Sequence, residues 1–277
     1  MVCAVASLGT NHAKPFGPEL QVKQMLGNLD MDMARDTYEG FAERYDWMVS
    51  EDPIRRKFFQ QLFADHGVKK VLDCACGTGH DLVMLNSIGC EVFASDLSGS
   101  MLAQARKNLS AAGIDVPLIQ ADFRHLPDSF DVQFDAVVCL TNSINEVPTD
   151  DETLQALHSM KSVLRDGGIL VFDQGQTDAT MKNPPKFDAV VNTRDWTRFF
   201  VLEYLGNTMT VNVFDFIHTE TSSDFRHSKV HVRIRLEDSW TRLLRDTGFS
   251  TVGFLENWDC APYNKATSRR LIAVATK

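Results

Sequence analysis

The stretch VLDCACGTGHD, residues 71–81, decides how the chain is read. Val71 and Leu72 close an apolar run that reads as a buried strand, and Asp73 stands where that strand should stop. Gly77 and Gly79 then allow a tight turn in which the backbone can approach a ligand closely. Leu82, Leu85 and Ile88 follow at helical spacing over 81–88. Strand, glycine turn and helix in this order make the first unit of a nucleotide-binding α/β domain.

The details narrow the ligand. A second strand over 91–95 ends in Asp96, about 20 residues past the turn, where an acid can accept hydrogen bonds from ribose hydroxyls. Leu82 occupies the place of the third glycine of a dinucleotide fingerprint, and no Lys-Ser/Thr pair follows the turn as a phosphate loop requires. An acid before the turn, Asp73, is unfavourable for a pyrophosphate and favourable for a cation by Coulomb attraction. A ribose, an adenine, a cation and no phosphate together describe S-adenosylmethionine (SAM).

At this point the chain resembles the class I SAM-dependent methyltransferases, and within them glycine N-methyltransferase and its small-molecule relatives. The motifs that carry the resemblance are DCACGTGHDLVML (73–85), SDLSGSML (95–102), CLTNS (139–143) and LRDGGILVFD (164–173). It covers 38–277 at the level of fold and is specific over those motifs only. It implies SAM as cofactor and S-adenosylhomocysteine as product, with Asp73, Ala75, Gly77, Gly79, Asp96, Leu97, Met101 and Leu140 around them. Tyr38, Ala42 and Tyr45 match a Tyr-x-x-x-Ala-x-x-Tyr pattern whose rings contact the methionine end in relatives. Arg55 matches an arginine that holds the SAM carboxylate, a role suited to the guanidinium fork. Asp122 is expected to accept from the adenine amino group, with Phe123 beside it. Asn142 is expected under the transferable methyl group, its carbonyl oxygen orienting an amine; its plain local reading is a turn-forming asparagine.

One departure bears on the acceptor. In glycine N-methyltransferase the fifth strand is followed by His-Arg, and the arginine binds the substrate carboxylate. Here Asp173 is followed by Gln174-Gly175-Gln176, with Gly175 at the aligned place. Loss of a buried cation opposite a carboxylate costs several kcal/mol of binding. Either an arginine from the next segment replaces it, or the acceptor is not a carboxylate.

The expected fold is α/β: a Rossmann-like, seven-stranded, mostly parallel sheet with helices on both faces and an antiparallel β insertion after the fifth strand. The expected division is an N-terminal extension (1–33), a SAM-binding core (34–173), an insertion that caps the substrate (174–237) and the C-terminal part of the core (238–277). A short helix is expected over 17–28, and an amphipathic one over 34–49 with Tyr38, Phe41, Tyr45 and Met48 on one face. Further helices start at Pro53, at the N-cap Ser98 and at a Thr149/Glu152 capping box, the last running to Leu164 and closed by 166–168, with the fifth strand over 169–172. The insertion reads as three strands, 198–204, 209–217 and 229–236, with Gly206-Asn207 as a hairpin turn. Arg198, Phe214, His218, Arg233 and Arg235 are its candidate substrate contacts, together with Asn142; outward positions on an exposed sheet face are the plain alternative. A last helix (238–247) precedes an edge hairpin of strands 251–258 and 271–276.

Composition bounds the partners. The chain has 277 residues, 44% of them hydrophobic, enough for one domain with an insertion and a sizeable core. A net charge of −9 without a Lys/Arg block argues against a nucleic-acid or anionic-membrane surface. The six cysteines (3, 74, 76, 90, 139 and 260) are scattered without metal-finger spacing, which suits a reduced, cytoplasmic protein with no metal. No leader and no apolar run approaching ~18 residues is apparent. The expected activity is methyl transfer from SAM to a small molecule, with the nitrogen of an amine or amino-acid-like compound as acceptor; the chain is compatible with a homo-oligomer. A methyltransferase acting on RNA or protein, and a non-catalytic SAM-binding module, are the competing readings.

Overall fold

Alternate residues of the central strands go to opposite layers, and both layers are apolar. The computed structural model describes residues 36–49 and 52–277; the helix expected over 17–28 lies outside them. The chain enters through a short helix α1 (Ala42–Tyr45), then α2 (Pro53–His66), β1 (Lys70–Asp73), α3 (His80–Ser87), β2 (Glu91–Asp96), α4 (Gly99–Ala112), β3 (Leu118–Gln120), β4 (Phe134–Cys139), α5 (Asp150–Val163) and β5 (Leu164–Gln174). On one face Val71, Ala136, Val138 and Val171 pack with Phe59 of α2, Leu82 of α3 and Leu102 of α4. On the other, Leu72, Val137 and Phe172 pack with Leu157 and Met160 of α5 and with Trp240. Burial on both faces explains why these strands read as continuous apolar runs.

After β5 the chain forms β6 (Phe187–Asn192), β7 (Trp196–Leu205), β8 (Thr208–His218) and β9 (Ser223–Arg233), then α6 (Glu237–Asp246), β10 (Thr251–Leu255) and β11 (Leu271–Thr276). The described residues give a seven-stranded sheet in the order β10-β11-β5-β4-β1-β2-β3. Strands β1 to β5 are parallel, and β11 and β10 add antiparallel at one edge. The helix caps read from sequence are present: Ser98 Oγ accepts from Met101 N at 3.0 Å, and Thr149 Oγ1 from Glu152 N at 3.2 Å.

Several elements differ from expectation. The region 34–49 is not one helix: Gly40 takes φ +73° in a turn, α1 is a single turn, and a 3-10 turn follows at Asp46–Met48. Asp46 is drawn out of helical register by Thr78 Oγ1 and by Asn108 Nδ2, both of which donate to its carboxylate. Helix α5 ends at Val163, within one residue of the expected Leu164, but β5 starts at Leu164 rather than at 169, because the chain is already extended there and pairs with Phe134 before a register shift. The second sheet has four strands, not three, in the order β6-β7-β8-β9. The polar segment 219–228 reads as a loop, yet a tight turn in which Thr219 N donates to Ser222 O lets β9 start at Ser223. Strand β10 ends at Leu255, short of the expected 258. Among the described residues no helix is long and apolar enough to cross a membrane.

Candidate active site

The order of the large sheet turns back at β1: β2 and β3 lie to one side, β4 and β5 to the other. Ligands of open α/β sheets bind outside the carboxyl ends of the strands at such a reversal. Asp73 ends β1 and Asp96 ends β2 there. Asp96 holds the glycine turn from below: its Oδ2 accepts from Gly77 N at 2.8 Å and its Oδ1 from Ser98 N at 2.8 Å. Gly77 and Gly79 adopt φ +52° and +81°, and a side chain added at Gly77 would meet no atom within 4 Å. That is an open cradle walled by backbone, as close ligand approach requires.

The charge around the cradle is negative. Asp73 is buried and accepts from Ala75 N at 3.2 Å. Burial first, and then the neighbouring Asp81, raise its pKa well above the usual carboxylate range. Burial also raises Asp81, although Arg55 Nη2 donates to its Oδ2 at 2.8 Å. The Arg55 guanidinium lies 5.0 Å from the Trp258 ring centre, and its buried Nε has no partner among the described residues. Crowded buried carboxylates are relieved by a cation, and an unsatisfied guanidinium N–H suits an anionic group. These residues fit SAM, which carries a sulfonium, an ammonium, a carboxylate and ribose hydroxyls. Leu97 is exposed beside this turn, Met101 and Leu140 are buried under it, and Ala75 and Phe123 are half-buried.

Asp122, just past the end of β3, is held in a local network. Its side chain caps a 3-10 turn through Arg124 N at 2.8 Å, and both of its oxygens accept from the Arg124 side chain at 2.6–3.0 Å. Burial raises its pKa, but the hydrogen bonds from Arg124 outweigh this and leave it below the usual carboxylate value. The carboxylate is thereby ionised and oriented by Arg124.

Next to the cradle a cavity opens between the end of β4 and the second sheet. Tyr38, Tyr45, Thr141, Asn142 and Glu146 contribute its polar side. Phe200 of β7, Val211 and Val213 of β8, and Val230 and Val232 of β9 line the side formed by the second sheet. Thr141 and Asn142 both have left-handed backbones, φ 58° and 72°, an uncommon pair for residues with side chains. Asp173 holds this turn: its Oδ1 accepts from Thr141 N at 2.8 Å and its carbonyl from Asn142 N at 3.1 Å. The Asn142 side-chain oxygen accepts from Asn145 Nδ2 at 3.0 Å, which fixes the amide while leaving its second lone pair. Asn142 therefore both forms the turn and lines the cavity.

Glu146 is the residue that the sequence reading passed over. Burial raises its pKa to about 7, against a hydrogen bond from Tyr38 Oη at 2.6 Å that favours the ionised form. Burial also raises Tyr38 and Tyr45, with Glu146 the next contributor in both, so each phenol stays protonated and can act as a donor. The available signal was its place four residues beyond Asn142, in a turn at a strand's carboxyl end.

None of the five insertion residues expected at the substrate lines this cavity. Arg198 is fully buried and donates through Nε and Nη2 to Asp215 at 2.6 and 2.8 Å, and through Nη1 to Arg44 O at 3.0 Å. Arg235 is also buried; it donates to Asp150 Oδ1 and to the carbonyls of Val147 and Thr149. Phe214, His218 and Arg233 fall on the other face of the sheet, since Val213 and Val232 turn inward and strand side chains alternate. Phe214 stacks there on Phe199 and His227, and His218 Nδ1 meets Ser223 Oγ at 3.0 Å.

Among the described residues no group of three His, Cys, Asp or Glu side chains is placed to hold a metal ion. Cys74, Cys76, Cys90 and Cys139 are buried thiols, and burial raises the first three. These are poor nucleophiles.

Comparison with known proteins agrees with this geometry. Residues 71–168 match a methyltransferase domain model. The chain is 32% identical over 153 residues to a glycine/sarcosine N-methyltransferase of Aphanothece halophytica, covering 54% of this chain and 58% of that one. The chain thus spans little more than half of this relative's length. It is 28% identical over 255 residues to a putative methyltransferase of Geobacillus sp. (strain WCH70), covering 87% of this chain and all of that one. Among solved structures, a S-adenosylmethionine-dependent methyltransferase from Clostridium acetobutylicum ATCC 824 superposes with a TM-score of 0.74 at 17% identity, covering 86% and 98% of the two chains. That likeness is one of fold.

Proposed function

We propose that this chain, which carries the domain and the fold of the class I SAM-dependent methyltransferases, transfers a methyl group from SAM to the nitrogen of a small-molecule amine. The observation that carries this reading is Glu146, a half-buried carboxyl group with a pKa of about 7, hydrogen-bonded to Tyr38 in a cavity beside the cradle. A carboxylate in this setting attracts an ammonium group and takes its proton, so that the nitrogen presents a lone pair near neutral pH. SAM, when bound, supplies a methyl group on a sulfonium whose leaving group is already activated.

The chain's own residues then have limited tasks. Asp96 binds the ribose hydroxyls, Gly77 and Gly79 let the backbone close on the cofactor, and Arg55 takes the methionine carboxylate. Tyr38, Tyr45 and the Thr141-Asn142 turn orient the amine, and Asn142 accepts one of its N–H groups. The second sheet, within residues 174–237, caps the acceptor and excludes water from the transfer. The named relative that methylates glycine and sarcosine supports nitrogen as the acceptor atom.

The test is isothermal titration with SAM on the wild type and on Asp96→Ala, followed by a methyl-transfer screen against small amines. Binding that weakens at least about tenfold in the variant, with turnover on an amine, is the expected result. Equal SAM affinity in the two proteins would remove the ribose assignment, and turnover confined to hydroxyl acceptors would remove the nitrogen.

A further inference from the structure

The chemistry of the acceptor's far end is written in the cap. Phe200 pairs with Val213, and Val211 with Val230, across neighbouring strands, so their side chains share one face of the sheet. With Val232 they give the acceptor cavity a wall of one aromatic and four β-branched apolar side chains. Such side chains are stiff at χ1 and offer no hydrogen bonds, so they favour an apolar body of defined shape.

The guanidinium groups of this face are already paired: Arg226, opposite Asp215, donates to Asp224 at 2.8 Å. Arg198 and Asp215 are cross-strand partners on the same face, joined by two hydrogen bonds, and Arg44 closes the group from α1 at 3.0 Å. Arg235 is held by Asp150 and two carbonyls. Nor does the position after β5 help, since it is Gly175. Arg270 donates to Asp173, whose other oxygen holds the Thr141 turn. Withdrawing Arg270 to meet a substrate carboxylate would strip the buried Asp173 of its counter-charge, and withdrawing Arg198 would leave the buried Asp215 with Arg44 alone. A substrate carboxylate would also share the cavity with Glu146 and meet like-charge repulsion.

We infer that the acceptor is a primary or secondary amine on an apolar aliphatic or arylalkyl body, without a carboxylate: its nitrogen lies against Glu146 and Asn142, and its body lies against Phe200 and the valines. This rests on the N-methyltransferase reading above. In the step it implies, the nitrogen lone pair forms the new N–C bond, and the methyl–sulfur bond breaks with its electron pair passing to sulfur. The proton given up by the amine goes to Glu146.

Matched pairs test it: phenethylamine against phenylalanine, and isobutylamine against valine, with glycine and methylamine as small controls. Each is titrated calorimetrically into protein saturated with S-adenosylhomocysteine and then assayed for methyl transfer from SAM. The amines are expected to bind and to exceed their amino acids at least about a hundredfold in kcat/KM. Glu146→Gln should weaken phenethylamine binding at least about tenfold and flatten its pH dependence. Phe200→Ala should raise KM for phenethylamine and leave methylamine little changed. Phenylalanine or glycine performing as well as the matched amine overturns this inference and leaves the methyltransferase reading standing, as does a Phe200→Ala effect equal for both amines. A protein that binds SAM but no amine of either series overturns it too. Failure to bind SAM at all removes the parent reading and this one with it.

Discussion

Tyr38 Oη donates to Glu146 Oε1 at 2.6 Å, joining residues 108 positions apart across the mouth of the acceptor cavity. Burial outweighs this hydrogen bond, so Glu146 titrates near 7 in the fold against a reference of 4.5. The sign of its effect on stability follows. The folded state holds this proton more tightly than the unfolded chain, so stability falls as pH rises from about 4.5 to about 7. The full loss is of order 3 kcal/mol above that window. Glu146→Gln keeps an acceptor for Tyr38 and removes the titration. In urea melts the variant should match the wild type near pH ~4 and exceed it by up to that amount near pH ~8. A difference that does not vary with pH would place the titration elsewhere.

Catalysis should run in the opposite direction to stability. The ionised carboxylate is the useful form, so kcat/KM for an amine should rise through about pH 7 and level off above it. Glu146→Gln should lose about 100-fold or more at the plateau, and the rise should vanish. Tyr38→Phe removes the hydrogen bond that favours the ionised form, so the midpoint of the rise should move to higher pH. A midpoint that stays put in Tyr38→Phe would show that Glu146 is not the group being observed.

The two glycines of the turn should fail in different ways. A side chain at Gly79 would sit 3.3 Å from Ala105 Cβ, against the packing of α4, whereas one at Gly77 meets nothing. Both positions have positive φ, which costs a residue with a side chain about 1–2 kcal/mol. Gly79→Ala should therefore cost more stability than Gly77→Ala. Gly77→Ala places a methyl group in the open cradle and should lose SAM affinity beyond its cost in folding. Calorimetry and urea melts on the pair separate the two effects; equal SAM affinity for wild type and Gly77→Ala would mean that the cofactor lies elsewhere.

What could be read from the sequence was local and periodic. The strand ends at Asp73 and Asp96, the glycine turn, and the caps at Ser98 and Thr149 each depend on neighbours within a few residues, and they stand where expected. The fates of the arginines depend on partners far along the chain. Arg198 is neutralised by Asp215 on the next strand and reaches Arg44 154 positions away, which no spacing rule reports. Phe214 and His218 were lost to parity: they alternate with Val213 and Ile217, and only the docked sheet decides which set faces the cavity. Glu146 looked like an ordinary polar residue in a turn because its burial comes from the cap and from Tyr38.

The Arg44–Asp215–Arg198 group should prove to be what fixes the cap. Asp215 is almost fully buried, with two guanidinium groups on it, and Arg198 is covered by the rings of Phe41 and Trp196 at 4.6 and 5.1 Å. Burial opposes ionisation of Asp215, but the hydrogen bonds from Arg198 and Arg44 prevail and depress its pKa. Its contribution is therefore present above the unfolded value of 3.8 and lost as pH falls through the lower folded value. Asp215→Ala leaves two positive charges facing each other in the interior, at a cost of about 3–5 kcal/mol. Because Arg44 adjoins Tyr45, the damage should reach the acceptor side before the cradle. In a variant that remains folded, KM for the amine should rise while calorimetric SAM affinity changes little. Asp215→Asn retains a hydrogen-bond acceptor without the charge and should fall between the two proteins in urea. If Asp215→Ala proves as stable as the wild type, the triad is incidental, and the alignment of the second sheet over the acceptor cavity must come from the apolar wall alone.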